Sequence, residues 1–490
     1  MNRRIGDRAV VLGAGVAGLL AARVLADGYG HVTVIDRDEL RDAYTHRRGV
    51  PHGRHIHALA ARGQQVLEEL FPGLTAELIA DGAPAGDMLT DARIHLSGHR
   101  LAPARRGLML LCASRPFLEG HVRARVRALR NVKILDRCDV VGLATTPDGR
   151  RVNGARVLRR ADGSAEELLG ADLVVDATGR GSRTRTWLEA LGHPRPRREE
   201  VRIRLGYATR NYRMPPGALD GRLAILDAAT PDLPRSGALQ RLEGDRWMLT
   251  LAGILGDHPP TDTDGFLDFT RSLRFPDIYE AVRDAEPLDE PAVFRFPASV
   301  RHGYELLNEF PAGFLAIGDA VCSFNPIYGQ GMSVAALEAL TLRRHLERGV
   351  EPEPRRWFRD IARVVDVPWS MSAGGDLLFR GVPGDRTLKI RLLGYYLSHL
   401  HAAAARDPYL ATAFIRVAGL VAPPPSLLAP RITFRVLRAG RARRRPPAPT
   451  EPTPKPDEQA SAPHRRSAPV KGEPRPYRRS RTVADTVAQT

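Results

Sequence analysis

The stretch from Val10 to Asp36 constrains the fold of this chain more than any other. An apolar run leads into Gly13-Ala-Gly15-Val-Ala-Gly18, a helical pattern follows, and a second run rich in β-branched residues ends at Asp36. In such a βαβ unit the first glycine permits a tight turn, the second lets the backbone approach a pyrophosphate, and the third lets the helix pack on the strand. The helix N-terminus faces the phosphates, and an acid placed like Asp36 binds a ribose. The pattern predicts a dinucleotide site without specifying the dinucleotide.

The length and composition are those of a globular protein with more than one lobe. A chain of 490 residues is too long for one simple core, and 43% of its residues are hydrophobic. No run approaches the roughly 18 uncharged apolar residues that span a bilayer, and the charged N-terminus leads directly into the first predicted strand, which predicts a cytoplasmic protein. Cys112, Cys138 and Cys322 show neither metal-ligand spacing nor a disulfide framework, so no metal site is expected.

The formal charge of +17 is unevenly distributed along the chain. Residues 441–490 contain twelve Arg or Lys, five Asp or Glu and ten Pro, with almost no large apolar side chains. Such a segment cannot bury a core and is predicted to be a disordered, basic Pro/Arg-rich tail. The remaining excess is almost entirely arginine, which indicates compositional bias, and the sequence contains no recognisable nucleic-acid-binding module. We therefore expect no specific nucleic-acid partner.

Hydrophobic periodicity predicts an α/β (α+β) architecture. Strands between Val132 and Val175 read as a β-meander, and a later stretch that alternates at period two reads as an antiparallel substrate-binding sheet. The predicted segments are 1–200 (first part of the dinucleotide-binding domain), 201–305 (substrate-binding domain), 306–350 (return to the first domain), 351–440 (helical region) and 441–490 (tail).

The predicted helical region carries two further features. Helix breaks are expected at Pro368, at Gly374-Gly375 and at Pro383. The segment from Ile432 to Leu437 interleaves apolar residues with Arg. That pattern fits an amphipathic closing helix, and it also fits weak peripheral contact with a membrane.

Two further motifs lie far from the first in the sequence. One, Asp176–Arg185, begins Asp-Ala-Thr-Gly, and the other, Gly318–Met332, contains the loop Pro326-Ile-Tyr-Gly-Gln-Gly. An acid at the end of a buried strand, here Asp319, accepts hydrogen bonds from a polyol chain. Backbone N–H groups at the start of the following helix stabilise negative charge on a ring that accepts two electrons. A ribityl chain and a reduced isoalloxazine ring meet both conditions, which indicates FAD.

With these three motifs in this order, residues 8–345 resemble the FAD-dependent monooxygenases of the para-hydroxybenzoate hydroxylase-like superfamily. The stretch 47–57 and the helical C-terminal region look most like bacterial FAD-dependent oxidoreductases grouped with the polyether epoxidases. The resemblance implies a Rossmann-type FAD-binding domain with an inserted antiparallel substrate domain. It also implies a set of cofactor-binding residues: Gly13, Gly15, Val16, Ala17, Gly18, Asp36, Arg37, Arg48, Arg115, Gly179, Asp319, Pro326, Gly329, Gly331 and Met332.

The resemblance also assigns roles within this set. The acid that ends the second strand would hold the adenosine ribose, and Arg48 and Arg115 would lie along the FAD. Asp319 would bind the ribityl chain and the pyrophosphate region. Gly331 and Met332 would offer backbone N–H groups to the flavin pyrimidine.

The implied reaction follows from the cofactor. In the family, reduced flavin reacts with molecular oxygen to give a C4a-(hydro)peroxide, which hydroxylates aromatics or epoxidises alkenes. The implied substrate is a hydrophobic small molecule of specialised metabolism, and no catalytic side chain is nominated because epoxidation needs no protein nucleophile or general base. Two alternatives stay open: a flavin-dependent alkene reductase resembling the geranylgeranyl reductases, and a non-catalytic flavoprotein whose basic tail recruits an acidic partner.

Flavin halogenases share the implied fold but fit this sequence less well. They use a lysine in the N-terminal region, and the first lysine here is Lys133. Their Trp-x-Trp-x-Ile-Pro pattern is also missing from the sequence.

Two positions depart from the family pattern. Thr178 stands where the hydroxylases carry an Asp associated with FAD and NAD(P)H binding, so the electrons could come directly from NADH or NADPH or from a partner flavin reductase. Cys322 stands where His is frequent and is expected to be a small apolar residue beside the cofactor, with a reactive thiol or a flavin–cysteine linkage as the alternatives. The chain has no second G-x-G-x-x-G, so no separate NAD(P)H domain is expected.

Overall fold

The computed structural model describes residues 4–444 apart from 42–43, 162 and 216, so the predicted tail lies outside the described residues from position 445 onward. The strands are β1 (Gly6–Leu12), β2 (Tyr29–Ile35), β3 (Ala85–Asp87), β4 (Ala92–Leu96), β5 (His99–Arg100), β6 (Met109–Leu111), β7 (Val132–Leu135), β8 (Cys138–Thr145), β9 (Val152–Arg159), β10 (Glu166–Gly170), β11 (Leu173–Asp176), β12 (Arg197–Val201), β13 (Leu205–Arg213), β14 (Ala224–Asp227), β15 (Arg235–Arg241), β16 (Trp247–Gly253), β17 (Glu286–Pro287), β18 (Ala292–Phe296), β19 (Ser299–Gly303), β20 (Phe314–Ala316) and β21 (Cys322–Ser323). The helices are α1 (Val16–Leu25), α2 (Ala61–Leu70), α3 (Leu74–Ala80), α4 (Arg115–Arg127), α5 (Thr184–Ala190), α6 (Thr263–Arg271), α7 (Asp277–Val282), α8 (Gly331–Leu346), α9 (Pro354–Asp376), α10 (Leu388–Ala404), α11 (Pro408–Ala418) and α12 (Pro430–Arg444).

A five-stranded parallel sheet in the order β20-β11-β1-β2-β7 forms the centre of the nucleotide-binding part. Strand β1 is buried on both faces because its side chains alternate between two cores. Ala9 and Val11 pack in the core that includes α1, α4 and α8. Val10 and Leu12 pack on the opposite side, against the antiparallel sheet β10-β9-β8. The meander predicted between Val132 and Val175 is therefore confirmed only in its middle part, β8 to β10, because β7 and β11 pair in the parallel sheet.

The register of the parallel sheet places the three sequence motifs at one edge. Leu12 at the end of β1 lies opposite Ile35 of β2 and Asp176 of β11, and Asp176 lies opposite Ala316 of β20. The first motif begins directly after β1, the second begins at the last residue of β11, and the third begins two residues after β20. The carboxyl edge of a parallel sheet is where α/β proteins bind nucleotides, so the fold brings the distant motifs together.

A second, larger sheet has the order β17-β13-β16-β15-β14-β4-β5, and β18 pairs with β13 along the same edge as β17, opposite β16. Its pairings are antiparallel except for β14 with β4. Helices α6 and α7 cover one face through a core that contains Phe266, Phe269 and Ile278. Strands β4 and β5 precede residue 201, so the large sheet takes strands from both sides of that predicted boundary. The expected mixed architecture of parallel and antiparallel sheets is confirmed.

The C-terminal region is helical, as predicted, but two expected breaks are wrong. Helix α9 runs without interruption through Pro368 and Gly374-Gly375. A proline inside a helix removes one backbone hydrogen bond. Tertiary packing outweighs that cost here because α9 buries a row of large side chains that includes Trp357 and Phe358.

Helices α10, α11 and α12 form a further core with strand β4. Up to Arg443, the described residues cluster as one compact unit. Within the described part of the chain, every helix is too short or too polar to cross a membrane.

Candidate functional site

A cavity of about 1840 Å³ lies between the carboxyl edge of the parallel sheet, the large sheet and the C-terminal helices. Small-molecule sites typically measure about 300–1,000 Å³, so this cavity has room for a dinucleotide and a second molecule. Of the predicted site residues, all except Gly18 line it: Gly13, Gly15, Val16, Ala17, Asp36, Arg37, Arg48, Arg115, Gly179, Asp319, Pro326, Gly329, Gly331 and Met332.

Each of the three motif glycines is explained by a different steric environment. Gly13 has φ +100°, and a Cβ on it would lie 2.6 Å from the carbonyl oxygen of Ala177. A Cβ on Gly18 would overlap the carbonyl oxygen of Gly13, so this residue allows α1 to pack on the turn behind the cavity. A Cβ on Gly15 would meet no described atom within 4 Å, because Gly15 faces open cavity. This empty space beside the uncapped start of α1 fits a pyrophosphate.

A buried ionic network supports Asp36 at the end of β2. Its carboxylate accepts hydrogen bonds from the backbone N–H groups of Ala14, at 2.8 Å, and Asp38, at 2.9 Å. The guanidinium of Arg47 lies 3.2 Å from the same carboxylate and also pairs with Glu119. Sequence reasoning singled out Arg48, which lies exposed at the cavity rim, and missed the role of Arg47.

The third motif combines an unpartnered carboxylate with an uncapped helix. No described residue donates a hydrogen bond to Asp319. Burial raises the pKa of its carboxyl, and the cations of Arg115 and Arg180 partly offset that rise. Helix α8 begins at Gly331 without a side-chain cap, and its first N–H groups have no intrahelical acceptor. An acceptor for polyol hydroxyls thus stands beside donors for an electron-rich ring, and the residues present fit FAD.

A buried glutamate that the sequence did not reveal lies behind this motif. Glu338 of α8 is fully buried, and its Oε2 accepts the N–H of Gly318 at 2.5 Å. Its Oε1 has no partner among the described residues. Burial, reinforced by the charge of Asp319, raises the pKa of Glu338 to about 8. Glu338 is therefore mostly neutral at pH 7.

The carboxylate of Asp176, the first residue of the middle motif, accepts hydrogen bonds from the residues that follow it. Asp176 is fully buried and accepts hydrogen bonds from the N–H of Thr178 at 2.8 Å and from its hydroxyl at 2.6 Å. The hydroxyls of Ser182 and Thr184 donate to the other carboxylate oxygen. Asp176 thus holds the turn that brings Gly179 to the cavity.

The segment from His52 to His57 forms a wall between the nucleotide side and the large sheet. The His55 ring is hydrogen-bonded to the hydroxyl of Thr209 at 2.7 Å, and the N–H of Ile56 donates to Thr250 at 3.1 Å. Burial lowers the pKa of His52 to about 2, of His57 to about 3 and of His55 to about 4. The three rings are therefore neutral at pH 7.

A polar cluster lies where the Pro326 loop meets α9. Asp376 Oδ1 accepts hydrogen bonds from the Asn325 amide at 2.8 Å and from the Tyr328 hydroxyl at 3.2 Å. Its Oδ2 and the buried hydroxyl of Tyr207 have no partners among the described residues. Burial raises the pKa of Asp376 to about 7. Sequence reasoning missed both residues, because Asp376 lies in no motif and Tyr207 looks like an ordinary strand residue.

Beyond this cluster the cavity becomes an apolar chamber between the large sheet and the C-terminal helices. The guanidinium of Arg180 lies at the junction, 4.6 Å from the ring centre of Phe296. The apolar lining residues include Ile94, Leu96, Leu226, Ile254, Phe294, Met371, Phe379, Leu397, Phe414 and Ile415. Cys322 lies in β21 and is not among the residues that line the cavity. Burial raises the pKa of its thiol well above the usual range, which keeps it neutral.

Two known proteins are similar to this chain in sequence. No protein-family model matches the chain. Protein Rv3254 of Mycobacterium tuberculosis is 37% identical over 436 residues, which cover 85% of this chain and 90% of that protein. Kynurenine 3-monooxygenase of Salinispora arenicola is 29% identical over 367 residues, covering 70% of this chain and 72% of that enzyme.

Solved structures share the fold at low sequence identity. The flavin-dependent brominase Bmp2 superposes with a TM-score of 0.64 at 16% identity, over 90% of this chain and 100% of that one. A flavoprotein/dehydrogenase from Cytophaga hutchinsonii gives 0.63 at 14% identity, over 89% and 99%. The chain therefore shares the fold of these flavin-dependent proteins. The chain belongs to the same family as Protein Rv3254.

Proposed function

We propose that this protein uses FAD and molecular oxygen to hydroxylate or epoxidise a hydrophobic small molecule. The observation that carries the proposal is the continuity of one cavity. Its nucleotide end has a glycine turn and two uncapped helix starts, and its other end is an apolar chamber with few polar groups. A redox cofactor and an apolar substrate would therefore meet at the Pro326 loop, shielded from bulk water.

Different residues along the cavity would hold different parts of FAD. The turn at Gly15 and the start of α1 would bind the pyrophosphate, and Asp36 would bind the adenosine ribose. Asp319 would accept hydrogen bonds from the ribityl hydroxyls, and the N–H groups of Gly331 and Met332 would face the pyrimidine ring. Bound FAD would supply the two-electron chemistry that activates oxygen.

The substrate class follows from the chamber. Its lining is mostly apolar, so a hydrophobic molecule gains free energy by leaving water. The Tyr207 hydroxyl and Asp376 Oδ2, both unpartnered among the described residues, can bind one hydrogen-bonding group such as a hydroxyl or carbonyl. One atom of oxygen would enter the substrate and the other would leave as water. NAD(P)H would give a hydride, equivalent to two electrons and one proton, and solvent would supply the second proton.

The electron donor is part of the proposal. Thr178 replaces a family carboxylate, and its hydroxyl already donates to Asp176. Reduction would therefore come either from NADH or NADPH binding transiently at the open cavity or from a partner flavin reductase.

The test begins with the purified protein saturated with FAD. Flavin absorbance is followed anaerobically after mixing with NADH or NADPH. Bleaching means that the enzyme is self-sufficient, and an oxidised flavin calls for repetition with an added flavin reductase. Oxygen uptake and incorporation of ¹⁸O from ¹⁸O₂ are then measured with a panel of polycyclic phenols and terpenoid alkenes. The proposal predicts ¹⁸O in one product class, and a reduced product formed without oxygen would contradict it.

A further inference from the structure

The C-terminal helices expose a group of large apolar side chains, which we call the apolar face. Leu388, Leu392 and Tyr395 lie on α10 at helical spacing and are 63%, 59% and 64% exposed. Leu428, Phe434 and Leu437 come from the turn before α12 and from α12 itself, and are 58%, 66% and 61% exposed. The two groups are neighbours, because the Tyr396 hydroxyl of α10 donates to the carbonyl of Leu427 at 2.6 Å. Contiguous exposed apolar groups of this kind mark an interaction surface.

Basic side chains lie on the same two helices as the apolar face. Lys389 and Arg391 lie on α10, and Arg431, Arg435 and Arg438 lie on α12. No Asp or Glu occurs between residues 408 and 444, and the preceding acid, Asp407, pairs with Arg435 at 2.7 Å. The surface therefore combines exposed apolar side chains with positively charged ones.

The apolar face also borders an opening of the cavity. Ile390, Leu393 and Leu428 line the cavity, and Leu393 and Leu428 are 45% and 58% exposed at the surface. An apolar passage thus leads from this face to the chamber.

We propose that the apolar face docks on a membrane surface rich in anionic phospholipid, with α10 and α12 lying in the interface. Leucine and aromatic side chains would enter the acyl boundary while Lys and Arg pair with the head groups. A second copy of the chain is a poorer occupant, because a symmetric dimer would bring the same cations face to face. Residues 445–490 are a poorer occupant too, since they contain almost no large apolar side chains.

The test follows an environment-sensitive fluorophore on the FAD-loaded full chain. Leu392→Cys carries the label on the apolar face, and Leu168→Cys carries it on β10, where Leu168 is 65% exposed. The three native cysteines are buried and remain unlabelled. Vesicles of phosphatidylcholine and phosphatidylglycerol in equal parts should shift the emission of the first label to the blue and leave the second unchanged. Pure phosphatidylcholine vesicles should give a smaller shift.

Sedimentation with the same vesicles in high salt provides a second readout, because salt suppresses purely electrostatic binding by the basic tail. The double variant Leu392→Asp/Phe434→Asp should lose at least about tenfold in bound fraction, since burial of both side chains is removed. Leu168→Asp is the matched control and should sediment like the wild type. Equal emission shifts at both labels, or no shift of the label at Leu392→Cys, would overturn the proposal. It would also be overturned if the protein did not bind vesicles but formed a dimer that the double variant cannot form.

Discussion

At the scale of single residues, the site is defined by polar groups that the protein itself leaves unpartnered. Asp319 lines the cavity, and near the chamber the Tyr207 hydroxyl and Asp376 Oδ2 have no partner in the part of the chain that the structure describes. A buried polar group without a partner costs about 1–3 kcal/mol. That cost is recovered when a ligand supplies the missing hydrogen bond, so these residues point to a bound molecule.

Tyr207→Phe tests this argument. The unliganded variant should unfold at the same temperature as the wild type or slightly higher, because its buried hydroxyl has no partner to lose. Turnover of a substrate found by oxygen uptake should show a KM raised about tenfold, which corresponds to one lost hydrogen bond. Thermal unfolding and steady-state kinetics provide the two measurements.

The control for this variant is Tyr395→Phe, at a tyrosine that is 64% exposed on α10. It should change neither quantity. A lower unfolding temperature in Tyr207→Phe with unchanged KM would assign the hydroxyl to structure instead of substrate binding.

At the scale of elements, two helix starts converge on the cavity. Helices α1 and α8 both begin at the carboxyl edge of the parallel sheet without side-chain caps. Free N–H groups and the positive end of the helix dipole favour negative charge at both points. For α1, close packing on β1 and α8 sets where those groups point, and this depends on Gly18.

Gly15→Ala and Gly18→Ala separate ligand binding from packing in the same turn. The Gly15 variant should fold normally, since its Cβ meets nothing within 4 Å. Its affinity for FAD should fall about 10- to 100-fold, because the methyl group occupies the space of the pyrophosphate and weakens charged hydrogen bonds. The Gly18 variant should lose about 1–3 kcal/mol of unfolding free energy from overpacking.

Flavin titration by fluorescence quenching and urea denaturation of the unliganded proteins measure the two effects. Gly15→Ala should lower the affinity for FAD without lowering the free energy of unfolding, whereas Gly18→Ala should lower the free energy of unfolding. Normal FAD affinity in Gly15→Ala would remove the glycine turn from the cofactor site.

At the scale of the whole molecule, buried ionisable groups set the pH range in which the protein is stable. Glu338 and Asp376 hold protons in the folded state that the unfolded chain releases above about pH 4. His52, His55 and His57 are kept neutral by the fold but would take up protons in the unfolded chain below about pH 6.5. The acids and the histidines therefore act in opposite directions.

The sign for each group follows from proton linkage. The stabilising contribution of Glu338 and Asp376 is complete at about pH 4 and is lost as the pH rises to about 8 and about 7, respectively. The contribution of the histidines is present above about pH 6.5 and is lost as the pH falls below it. Glu338→Gln should therefore flatten the decline in unfolding free energy between about pH 5 and pH 8.

Urea denaturation at a series of pH values checks this expectation. Glu347→Gln is the matched control, because Glu347 follows α8 and its side chain is 64% exposed. It should reproduce the wild-type profile. An unchanged slope in Glu338→Gln would mean that Glu338 is ionised in the folded protein.

Much of this fold and part of the site could be predicted, because short sequence motifs and local hydrophobic periodicity indicate them. Three features could be recognised from a few neighbouring residues, because each requires a particular backbone conformation or charge: the turn at Gly13, the acid at Asp36 and the loop from Pro326 to Met332. Secondary-structure periodicity likewise indicated the parallel and antiparallel sheets and the helical C-terminal region.

Tertiary structure decided the rest, for a physical reason. Burial shifts the pKa of Glu338 and Asp376, and burial depends on segments far away in the chain. The choice of Arg47 over Arg48 for the ionic network depends on where Glu119 of α4 comes to lie. Pro368 remains inside α9 because long-range packing outweighs local preference. The sequence by itself determined the glycine turn and led to the prediction of FAD, because the requirements of that turn are local. The chamber, its buried acids and the apolar face exist only once distant elements have packed together.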